Sequence, residues 1–530
     1  MSQLIVDVNA GQFEEFLRDE SRSVGSADSI SFPETLEEVR FIVSLMGRQG
    51  KPLTIQGART GLTGGAVPHS GHVLNLSRMN RLLGIRFDPT QGHFFLVTQP
   101  GVILSQIRQA LETLNFNTVD WSQDSLTALG LLRQAGPHFF TPDPTETSAS
   151  IGGMINCNAS GARSFFYGPT RDYVEAIKVL LADGSMVSLR RGQQRVTNGH
   201  FSLQTDCGRL LTGNIPHYDM PAVKNASGYY LKPEMDVLDL FIGSEGTLGI
   251  IVEAELQLMP LPKAIWGVTA FFPGEEQALL FVRGVRGEDV EGFGTPPAPR
   301  PVAIEFFDAR ALDLLRHQKA NSAAFGQILD LAPHYHTAIY VEFHGESDAE
   351  ITATMLELGQ SISACGGSEL DTWVAANARD MEKLQLFRHA IPESVNMLID
   401  QRRRTSAGLT KLGTDMAVPD QDLTQMMHLY HERIAALDLE GVVFGHIGNN
   451  HVHVNILPRQ MDDYLRGKEL YLEWARQAVS WGGTVSAEHG IGKLKTAFLA
   501  EMYGEAGLEK MRVVKQLFDP AGMLSPGNMF

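Results

Sequence analysis

Imidazoles and a carboxylate near the end of the chain are the side chains best suited to chemistry. His446 and His453 stand seven residues apart in GHIGNNHVHV, and Glu488 and His489 follow in AEHG. On one straight strand the first two would face opposite sides, but the intervening Gly-Asn-Asn marks a turn that brings them together. Two imidazoles and a carboxylate are a typical partial shell for zinc or manganese, with positions left for a substrate. The alternative is that they are buried core histidines.

A second set of residues is poor in side chains and suits an extended ligand. Residues 55–68 read IQGARTGLTGGAVP, in which four glycines directly after a strand allow backbone N–H groups to converge on an anion. Residues 141–174 combine Gly-Gly and Ala-Ser-Gly with many small side chains, and residues 239–251 form a glycine-punctuated turn. Together these segments indicate backbone wrapped around a long ligand. Any one of them alone is more often an ordinary turn.

The elements that must position these residues follow from hydrophobic periodicity. In the first half we predict a helix at 33–50 and strands at 51–56, 176–182, 187–189 and 249–259. In the second half we predict strands at 266–272, 302–307 and 337–344, alternating with helices near 275–286, 309–319 and 348–364. A helix at 420–438, two short strands within 441–457 and helices at 462–481 and 494–518 complete the pattern. This predicts an antiparallel sheet with helices on one face.

Several long motifs, in this order, carry a resemblance to a known family. The series GARTGLTGG, PDPTETSASIGGMINCNASGARSFFYGPTRDYV, KNASGYYL and GSEGTLGII resembles the FAD-binding domain of the PCMH-type vanillyl-alcohol oxidase flavoproteins. With GHIGNNHVHV, SAEHGIGK and FDPAGMLSPG, the chain is similar to the D-lactate, D-2-hydroxyglutarate and glycolate dehydrogenase branch. The resemblance implies an α+β fold: a two-subdomain FAD-binding domain at 25–263, a cap domain at 264–480 and a C-terminal segment at 481–530 returning to the flavin.

The resemblance also implies which residues contact FAD. The pyrophosphate would lie against 57–65 and 148–153, the adenosine and flavin regions against 158–172 and 246–250, and Asn528 would reach the flavin from the C-terminal return. Thr60 stands where covalent members of the family place a histidine, which predicts non-covalent FAD. The candidate contacts are Gly57, Arg59, Thr60, Gly61, Leu62, Gly64, Gly65, Pro142, Ser148, Gly152, Gly153, Asn158, Ser160, Gly161, Gly246, Gly249, Ile250 and Asn528.

The catalytic and metal residues are implied in the same way. His446, His453 and Glu488 match metal ligands, zinc or manganese being the ions considered. His489 matches the base beside the flavin, Asn455 a substrate contact, and Arg388 the arginine that pairs with the substrate carboxylate. A guanidinium suits that carboxylate because it donates two parallel hydrogen bonds. Without the resemblance, Arg388 could equally be a residue on a helix surface.

Two features of the sequence leave the ligand set and the substrate contacts undecided. The family usually reads GDGN where this chain has GNNH at 448–451, so that His451 is gained and an aspartate is lost. This departure puts the shape of the loop and the ligand set in question. The run Arg402-Arg403-Arg404 would bind a second carboxylate or an acidic electron acceptor, or form a solvated face. Lys411 is a weak candidate for the substrate pocket.

The resulting hypothesis is an FAD-dependent, metal-assisted oxidation of a D-2-hydroxy acid to the 2-oxo acid. No GxGxxG follows a strand with an acidic partner downstream, so the electrons would pass to a quinone, a cytochrome or an electron-transfer flavoprotein. Alternatives are a glycolate-type oxidase or dehydrogenase subunit, a flavin-bearing subunit of a larger redox complex, an alkylglycerone-phosphate synthase, and a metal-dependent hydrolase. The synthase is disfavoured because its longer histidine run is absent, and the hydrolase because it leaves the first half unexplained.

Composition argues against several other classes of protein. The net charge of −17, from 44 basic and 61 acidic residues, argues against nucleic acid as a partner. Three distant cysteines disfavour a disulfide framework and an iron–sulfur cluster. The start lacks a basic segment followed by an apolar one, and no run approaches 18 apolar residues. We expect a cytoplasmic protein without a transmembrane segment; peripheral attachment to the inner membrane and a homodimer stay open.

Overall fold

Four β-sheets and the helices packed on them form an α+β fold. The computed structural model describes residues 4–8, 12–291, 293–294, 296–406 and 408–530, and the four sheets are counted within these residues. Three of the sheets lie in the first half of the chain, and the fourth and largest is built from the second half. The alternation of strand and helix predicted from periodicity is confirmed in both halves.

The first sheet leads into the glycine loop. Its elements are β1 (Ile5–Asp7), β2 (Ser29–Ser31), α1 (Leu36–Gln49), β3 (Leu53–Gln56) and β4 (His72–Asn75). The strand order is β1-β2-β4-β3, in which β4 runs parallel to both neighbours and β1 is an antiparallel edge. Helix α1 begins at a capping box of Thr35 and Glu38 and ends at Gly50, which adopts a left-handed φ of 61°. The strand β3 therefore enters the glycine loop from a fixed position.

The second sheet is antiparallel and is built mainly from the middle of the first half of the chain. Its order is β5-β6-β12-β8-β9, with β7 beside β12, and a separate hairpin pairs β10 with β11. The elements are β5 (Leu82–Asp88), β6 (His93–Thr98), α2 (Leu104–Thr113), α3 (Gln123–Ala135), β7 (His138–Phe139), α4 (Ile151–Cys157), α5 (Ser164–Tyr167), β8 (Val174–Leu180), β9 (Met186–Arg190), β10 (His200–Gln204), β11 (Leu210–Asn214), α6 (Leu238–Phe241) and β12 (Ile250–Pro260).

The second half forms a seven-stranded sheet of order β16-β13-β15-β14-β18-β19-β17. Its elements are β13 (Ala264–Phe272), α7 (Glu275–Val285), β14 (Pro301–Phe307), α8 (Ala309–Asn321), β15 (Thr337–Gly345), α9 (Asp348–Ala364), β16 (Thr372–Ala375), α10 (Ala378–Arg403), β17 (Leu412–Gly413), α11 (Leu423–Ala436), β18 (Gly441–Gly445), β19 (His453–Ile456), α12 (Met461–Ser480) and α13 (Thr496–Phe518). Every pairing is antiparallel, which confirms the predicted sheet.

The prediction that helices cover one face of this sheet is wrong, because both faces are covered. Side chains of α7 and α9 pack in one apolar cluster with Phe272 and Phe306, whereas α8 and α10 pack in another with Phe271 and Phe307. Adjacent strand residues point to opposite faces, so these pairs place the two clusters on opposite sides. The physical reason lies in strands β14 and β15, which are buried along their whole length.

Helix α10 was not predicted from the sequence and lies across the second face. Asn377 caps its start, and Met381, Leu384 and Phe387 are among its buried side chains. Pro392 lies inside it, and a proline removes the hydrogen bond to the carbonyl four residues earlier, which belongs to Arg388. The backbone carbonyl of Arg388, the residue predicted to hold the substrate carboxylate, therefore receives no hydrogen bond from residue 392.

The chain returns to the first sheet at its end. After α13, Leu524 forms a bridge to Leu53, and the backbone N–H of Ser525 donates to the Leu53 carbonyl at 2.7 Å. The N–H of Met529 donates to the Gly492 carbonyl at 2.9 Å. The segment around Asn528 is thereby held between the first and last parts of the molecule. Among the helices of the described residues, none has the length and apolar character needed to cross a bilayer.

Candidate active site

A cavity of about 280 Å³ lies between the glycine loop after β3 and helix α4. Predicted FAD contacts that line it are Gly57, Arg59, Thr60, Gly61, Leu62, Gly65, Gly152, Gly153, Ser160, Gly161, Gly246 and Asn528. Three separated glycine-rich segments and the C-terminal return therefore meet at one cavity. This is the convergence that a long ligand would need.

The remaining candidate contacts do not line this cavity; they are Gly64, Pro142, Ser148, Asn158, Gly249 and Ile250. A Cβ at Gly249 would lie 2.3 Å from Val179, so close packing requires glycine there. Ile250 is fully buried in β12, and the Asn158 side chain accepts a hydrogen bond from the Arg171 N–H at 3.0 Å. For these three, the structure shows a role in packing or local hydrogen bonding.

The loops around the cavity are held together by Ser150. Its hydroxyl caps helix α4 by accepting from the Gly153 N–H at 3.4 Å, and it also accepts from the Ala58 N–H at 3.3 Å. A Cβ on Gly57 would meet this hydroxyl at 2.0 Å, whereas one on Gly61 would meet no protein atom within 4 Å. Gly61 therefore leaves free space at the cavity wall. A side-chain-poor cradle of this kind fits the phosphates of a dinucleotide.

The other wall of the same cavity carries His446, Glu488 and His489. Glu488 Oε1 lies 3.3 Å from His446 Nε2 and 3.5 Å from Nε2 of both His453 and His489. The remaining oxygen, Oε2, accepts from Lys224 Nζ at 2.7 Å and from the Ser160 hydroxyl at 3.3 Å. The predicted metal ligands thus come together beside the predicted flavin cavity.

The donor set fits a divalent cation. One ligand atom each from His446, His451, His453 and Glu488 lies within 4.8 Å of the others. His446 Nδ1 lies 2.6 Å from Oε1 of the buried Glu305, which is the outer carboxylate partner typical of metal-binding histidines. The residues present therefore provide both the ligands and the groups that orient them.

Charge governs the protonation of this cluster. Burial raises the pKa of Glu488, but Lys224 and His446 outweigh it and hold the pKa well below the ordinary value. Burial lowers the pKa of His446, but Glu305 and Glu488 outweigh it and raise the pKa to about 9. Without a cation, His446 would thus carry a proton, which a metal ion would have to displace.

His489 differs from its neighbours in protonation. Burial lowers its pKa to about 4, although Asp415 and Glu488 oppose the shift. Its ring stacks on His453 at 5.3 Å between centroids, and Nδ1 lies 3.4 Å from Oδ2 of Asp415. Asp415 also accepts the His489 backbone N–H at 3.0 Å and the Lys495 ammonium at 2.7 Å. The imidazole is therefore neutral near pH 7 and held in place to accept a proton.

Arg388 and Asn455 lie next to the cluster but do not line the cavity. The Arg388 guanidinium stacks on Tyr340 at 4.7 Å, its Nη2 lies 3.8 Å from Oε2 of Glu305, and its Nε has no hydrogen-bond partner among the described residues. Asn455 is buried on β19, and its amide nitrogen lies 3.5 Å from the His453 carbonyl oxygen. Arg388 thus retains donors for an anion, whereas the present contact of Asn455 is local.

The three arginines at 402–404 and Lys411 differ in their surroundings. Arg402 donates to the Leu457 carbonyl and to Glu440, each at 2.5 Å, so its role is structural, while Arg403 and Arg404 are exposed. Burial lowers the pKa of Lys411 to about 8. Arg403 and Arg404 are not among the residues that line the cavity.

Several residues of the site were missed by sequence reasoning. Glu305 and Glu342 lie inside the apolar strands β14 and β15, where Glu305 pairs in register with Tyr340 and Glu342 with Ala303. A carboxylate within an apolar strand is a readable signal, because such groups are buried only with partners. Asp415 and Lys224 gave no such signal, since their partners come from distant parts of the chain.

The sequence matches two family models. The model described as "FAD linked oxidases, C-terminal domain" matches residues 262–529, and the model described as "FAD binding domain" matches residues 27–137 and 132–190. The first covers half of the chain and includes His446, Glu488 and His489, and the second covers two of the three glycine-rich segments at the cavity. The third segment, residues 239–251, lies between the matched regions.

Relatives of similar length match almost the whole chain. A D-lactate dehydrogenase of Anaerostipes hadrus is 28% identical over 97% of this chain and 92% of its own length. The glycolate oxidase subunit GlcD of Bacillus subtilis (strain 168) is 26% identical, over 95% and 89%. A D-2-hydroxyglutarate dehydrogenase of Xanthomonas citri pv. viticola is 27% identical, over 95% and 89%.

Solved structures share the fold at lower identity. A 4-ethylphenol oxidase from Gulosibacter chungangensis has a TM-score of 0.65 and 15% identity, with 100% of this chain and 94% of that chain covered. An alkyldihydroxyacetonephosphate synthase has a TM-score of 0.59 and 15% identity, with 95% and 76% covered. At this identity the likeness concerns the fold alone.

Proposed function

Because the chain belongs to the FAD-linked oxidases, we propose that it oxidises a small D-2-hydroxy acid to the 2-oxo acid with non-covalent FAD. The observation that carries the proposal is the single cavity on which the glycine-rich segments and the pair Glu488-His489 meet. The named relatives that act on lactate, glycolate and 2-hydroxyglutarate support this class of substrate. We propose residues 25–263 as the FAD-binding domain, 264–480 as the cap domain and 481–530 as the returning segment.

The chain's own residues would bind and orient the substrate. His446, His453 and Glu488 would hold a divalent cation, zinc or manganese, and that cation would supply a Lewis acid for the substrate's 2-hydroxyl and carboxylate oxygens. Arg388 lies behind Glu305 with an unpaired Nε and would pair with the substrate carboxylate. Asn455 would provide a further polar contact.

His489 would remove the hydroxyl proton. It is neutral near pH 7, lines the cavity and is fixed by Asp415, which suits a general base. The hydroxyl proton goes to the imidazole and the C2 hydrogen leaves with both electrons of its bond, so the alcohol becomes a carbonyl. Bound FAD would supply the two-electron acceptor, and we propose a quinone, a cytochrome or an electron-transfer flavoprotein as its oxidant.

The test is anaerobic reduction of the flavin in the purified holoenzyme by D- and L-lactate, D- and L-2-hydroxyglutarate and glycolate. Bleaching by one D-enantiomer would name both the substrate and its handedness. Bleaching by glycolate alone would favour the glycolate-type alternative, which the relative from Bacillus subtilis supports. Retained flavin colour with every acid would contradict the proposal and favour a flavin-bearing subunit.

The base is tested by His489→Asn. We expect flavin reduction to slow by about 100- to 10,000-fold, the usual contribution of a general base, with unchanged FAD content. His69→Asn, at an exposed histidine outside the acid–base cluster, is the control. An unchanged reduction rate in the His489 variant would contradict the assignment.

A further inference from the structure

His451 lies at the back of the metal-binding cluster, away from the cavity. Its side chain is fully buried, and its ring centroid is 5.4 Å from that of His446 and 4.6 Å from that of His453. The residues lining the cavity include His446, Glu488 and His489 but not His451. We therefore expect any chemical role of His451 to act through the cluster.

Each of three histidines directs one ring nitrogen outward to an oxygen. His446 Nδ1 lies 2.6 Å from Oε1 of Glu305, and His453 Nδ1 lies 3.1 Å from the carbonyl oxygen of Thr414. His451 Nε2 lies 2.9 Å from Oδ1 of the buried Asp415. Carboxylate and carbonyl partners of this kind orient metal-binding imidazoles and set which nitrogen faces the ion. His451 Nε2 has the same short distance to an oxygen as the two predicted ligands, but not their hydrogen-bond geometry.

The three remaining nitrogens converge on one carboxylate. Glu488 Oε1 lies 3.3 Å from His446 Nε2 and 3.5 Å from His453 Nε2, and the other oxygen, Oε2, lies 3.9 Å from His451 Nδ1. Donors bound to a single zinc ion at 2.0–2.1 Å are separated by roughly 3.4 Å in a tetrahedral shell. The observed spacing is close to this value for His446 and His453, and that of His451 to the second oxygen is about 0.5 Å longer.

The hydrogen bonds of the folded protein do not satisfy Nδ1 of His451, the nitrogen that faces Glu488. Neither ring nitrogen has a hydrogen-bond partner of good geometry among the described residues, although Nε2 lies 2.9 Å from Oδ1 of Asp415. A buried polar atom without a partner costs about 1–3 kcal/mol, so a histidine kept only to contact Asp415 would carry that cost. A cation between His451 and Glu488 removes it.

We propose that His451 is a fourth protein ligand, through Nδ1, of the divalent cation bound by His446, His453 and Glu488. The inference rests on the metal site of the proposed function and extends its ligand set. Three acidic residues, Glu305, Asp415 and Glu488, surround the site and offset the charge of Lys224 and of the cation. Four protein donors leave room for a substrate only when the ion takes more than four ligands. Catalytic zinc expands to five, and manganese favours six.

The direct test is a crystal structure of the zinc-loaded holoenzyme, with the ion placed by anomalous scattering. We expect His451 Nδ1 within about 2.3 Å of the ion. An ion bound by the other three residues with His451 Nδ1 beyond about 3 Å would overturn the inference and leave the proposed function intact. If the wild type binds neither zinc nor manganese in equilibrium dialysis, the proposed metal site and this inference both fall.

A second measurement is the zinc affinity of His451→Asn, from competition with a chromophoric chelator. We expect a loss of at least about 10- to 100-fold, which is the loss known for an outer partner alone. His138→Asn, at a buried histidine in the first half, is the matched control and should bind zinc like the wild type. Equal affinity in both variants would contradict the inference. If the His451 variant loses FAD and unfolds, the wild-type crystal structure still decides whether His451 binds the ion.

Discussion

At the scale of single residues, the site depends on buried charges whose partners come from other elements. Arg388 on α10 faces Glu305 on β14, and Glu305 in turn orients His446 after β18. Burial raises the pKa of Glu305, but His446 and Arg388 outweigh it and lower the pKa. Arg388 and His446, a proposed metal ligand, are therefore joined through one carboxylate.

The role of Arg388 can be tested by Arg388→Lys. The charge is kept, but the planar fork that donates two parallel hydrogen bonds is lost. We expect kcat/KM for the acid to fall by roughly 10- to 150-fold, corresponding to about 1.5–3 kcal/mol for a hydrogen bond to a charged group. FAD content should not change, since Arg388 does not line the flavin cavity. Steady-state kinetics and the flavin absorbance measure both.

The control for this variant is Arg403→Lys, at an exposed arginine on the same helix. It should leave kcat/KM and FAD content unchanged. Wild-type kinetics in Arg388→Lys as well would show that another group holds the substrate carboxylate.

Residue types and the turn at 448–450 indicated that His446 and His453 meet, and the family resemblance joined Glu488 and His489 to them. These signals were not enough for Asp415, which contacts His451 and His489 only after β17, β19 and the 487–492 segment have assembled. A pairing between distant segments leaves no local pattern in the sequence.

At the scale of elements, strands and amphipathic helices followed the predicted pattern closely, since periodicity reflects burial directly. Helix α10 escaped prediction because Pro392 interrupts its pattern, and the residue before a proline usually avoids helical geometry. Both faces of the large sheet are covered because β14 and β15 are apolar on both sides, which alternation alone does not report.

The junction of β14 and α8 gives a pH-dependent prediction. Asp308 caps α8 by accepting the Ala311 N–H at 2.7 Å, is buried, and has no partner for Oδ2 among the described residues. Burial raises its pKa to about 7, with smaller opposing and supporting effects of His431 and Glu275. The protonated form is therefore favoured in the folded state. Its contribution to stability is fully present below the unfolded pKa near 4 and is lost as pH rises through 7.

Asp308→Asn should remove this dependence while keeping the cap, because asparagine caps helices as well as aspartate does. As pH rises from 5 to 8, the variant should gain stability relative to the wild type. The gain should be on the order of 1.4 kcal/mol for each pH unit up to pH 7. Urea unfolding across this range measures the difference. Asp313→Asn, at an exposed carboxylate on the same helix, should show no such trend. Parallel curves for the wild type and Asp308→Asn would contradict the prediction.

At the scale of the whole molecule, the two halves share one core. A single apolar cluster includes Leu256 of the first half, Phe306 of the large sheet, Trp474 of α12 and Val514 of α13. Polar contacts cross the same boundary: the Tyr167 hydroxyl lies 2.7 Å from His344 Nδ1, and Lys224 pairs with Glu488. The cavity and the candidate metal cluster are thus parts of one packed unit, and we expect both halves to unfold together.

The ion pair between Arg163 and Glu342 tests this coupling. Arg163 Nε lies 2.7 Å from Oε1 of Glu342, a fully buried carboxylate that also accepts from the Tyr340 hydroxyl at 2.5 Å. Arg163→Met should cost about 3–5 kcal/mol, because it leaves a buried charge without its cation. Adding Glu342→Gln should restore most of that loss, since the charge is then removed as well.

Arg209→Met, which breaks the exposed pair with Asp183, should change stability by less than about 0.5 kcal/mol. In calorimetry, Arg163→Met should show one transition at lower temperature, coincident with the release of flavin fluorescence. Separate melting of the second half, with FAD still bound to the first, would show that the shared core does not couple the two.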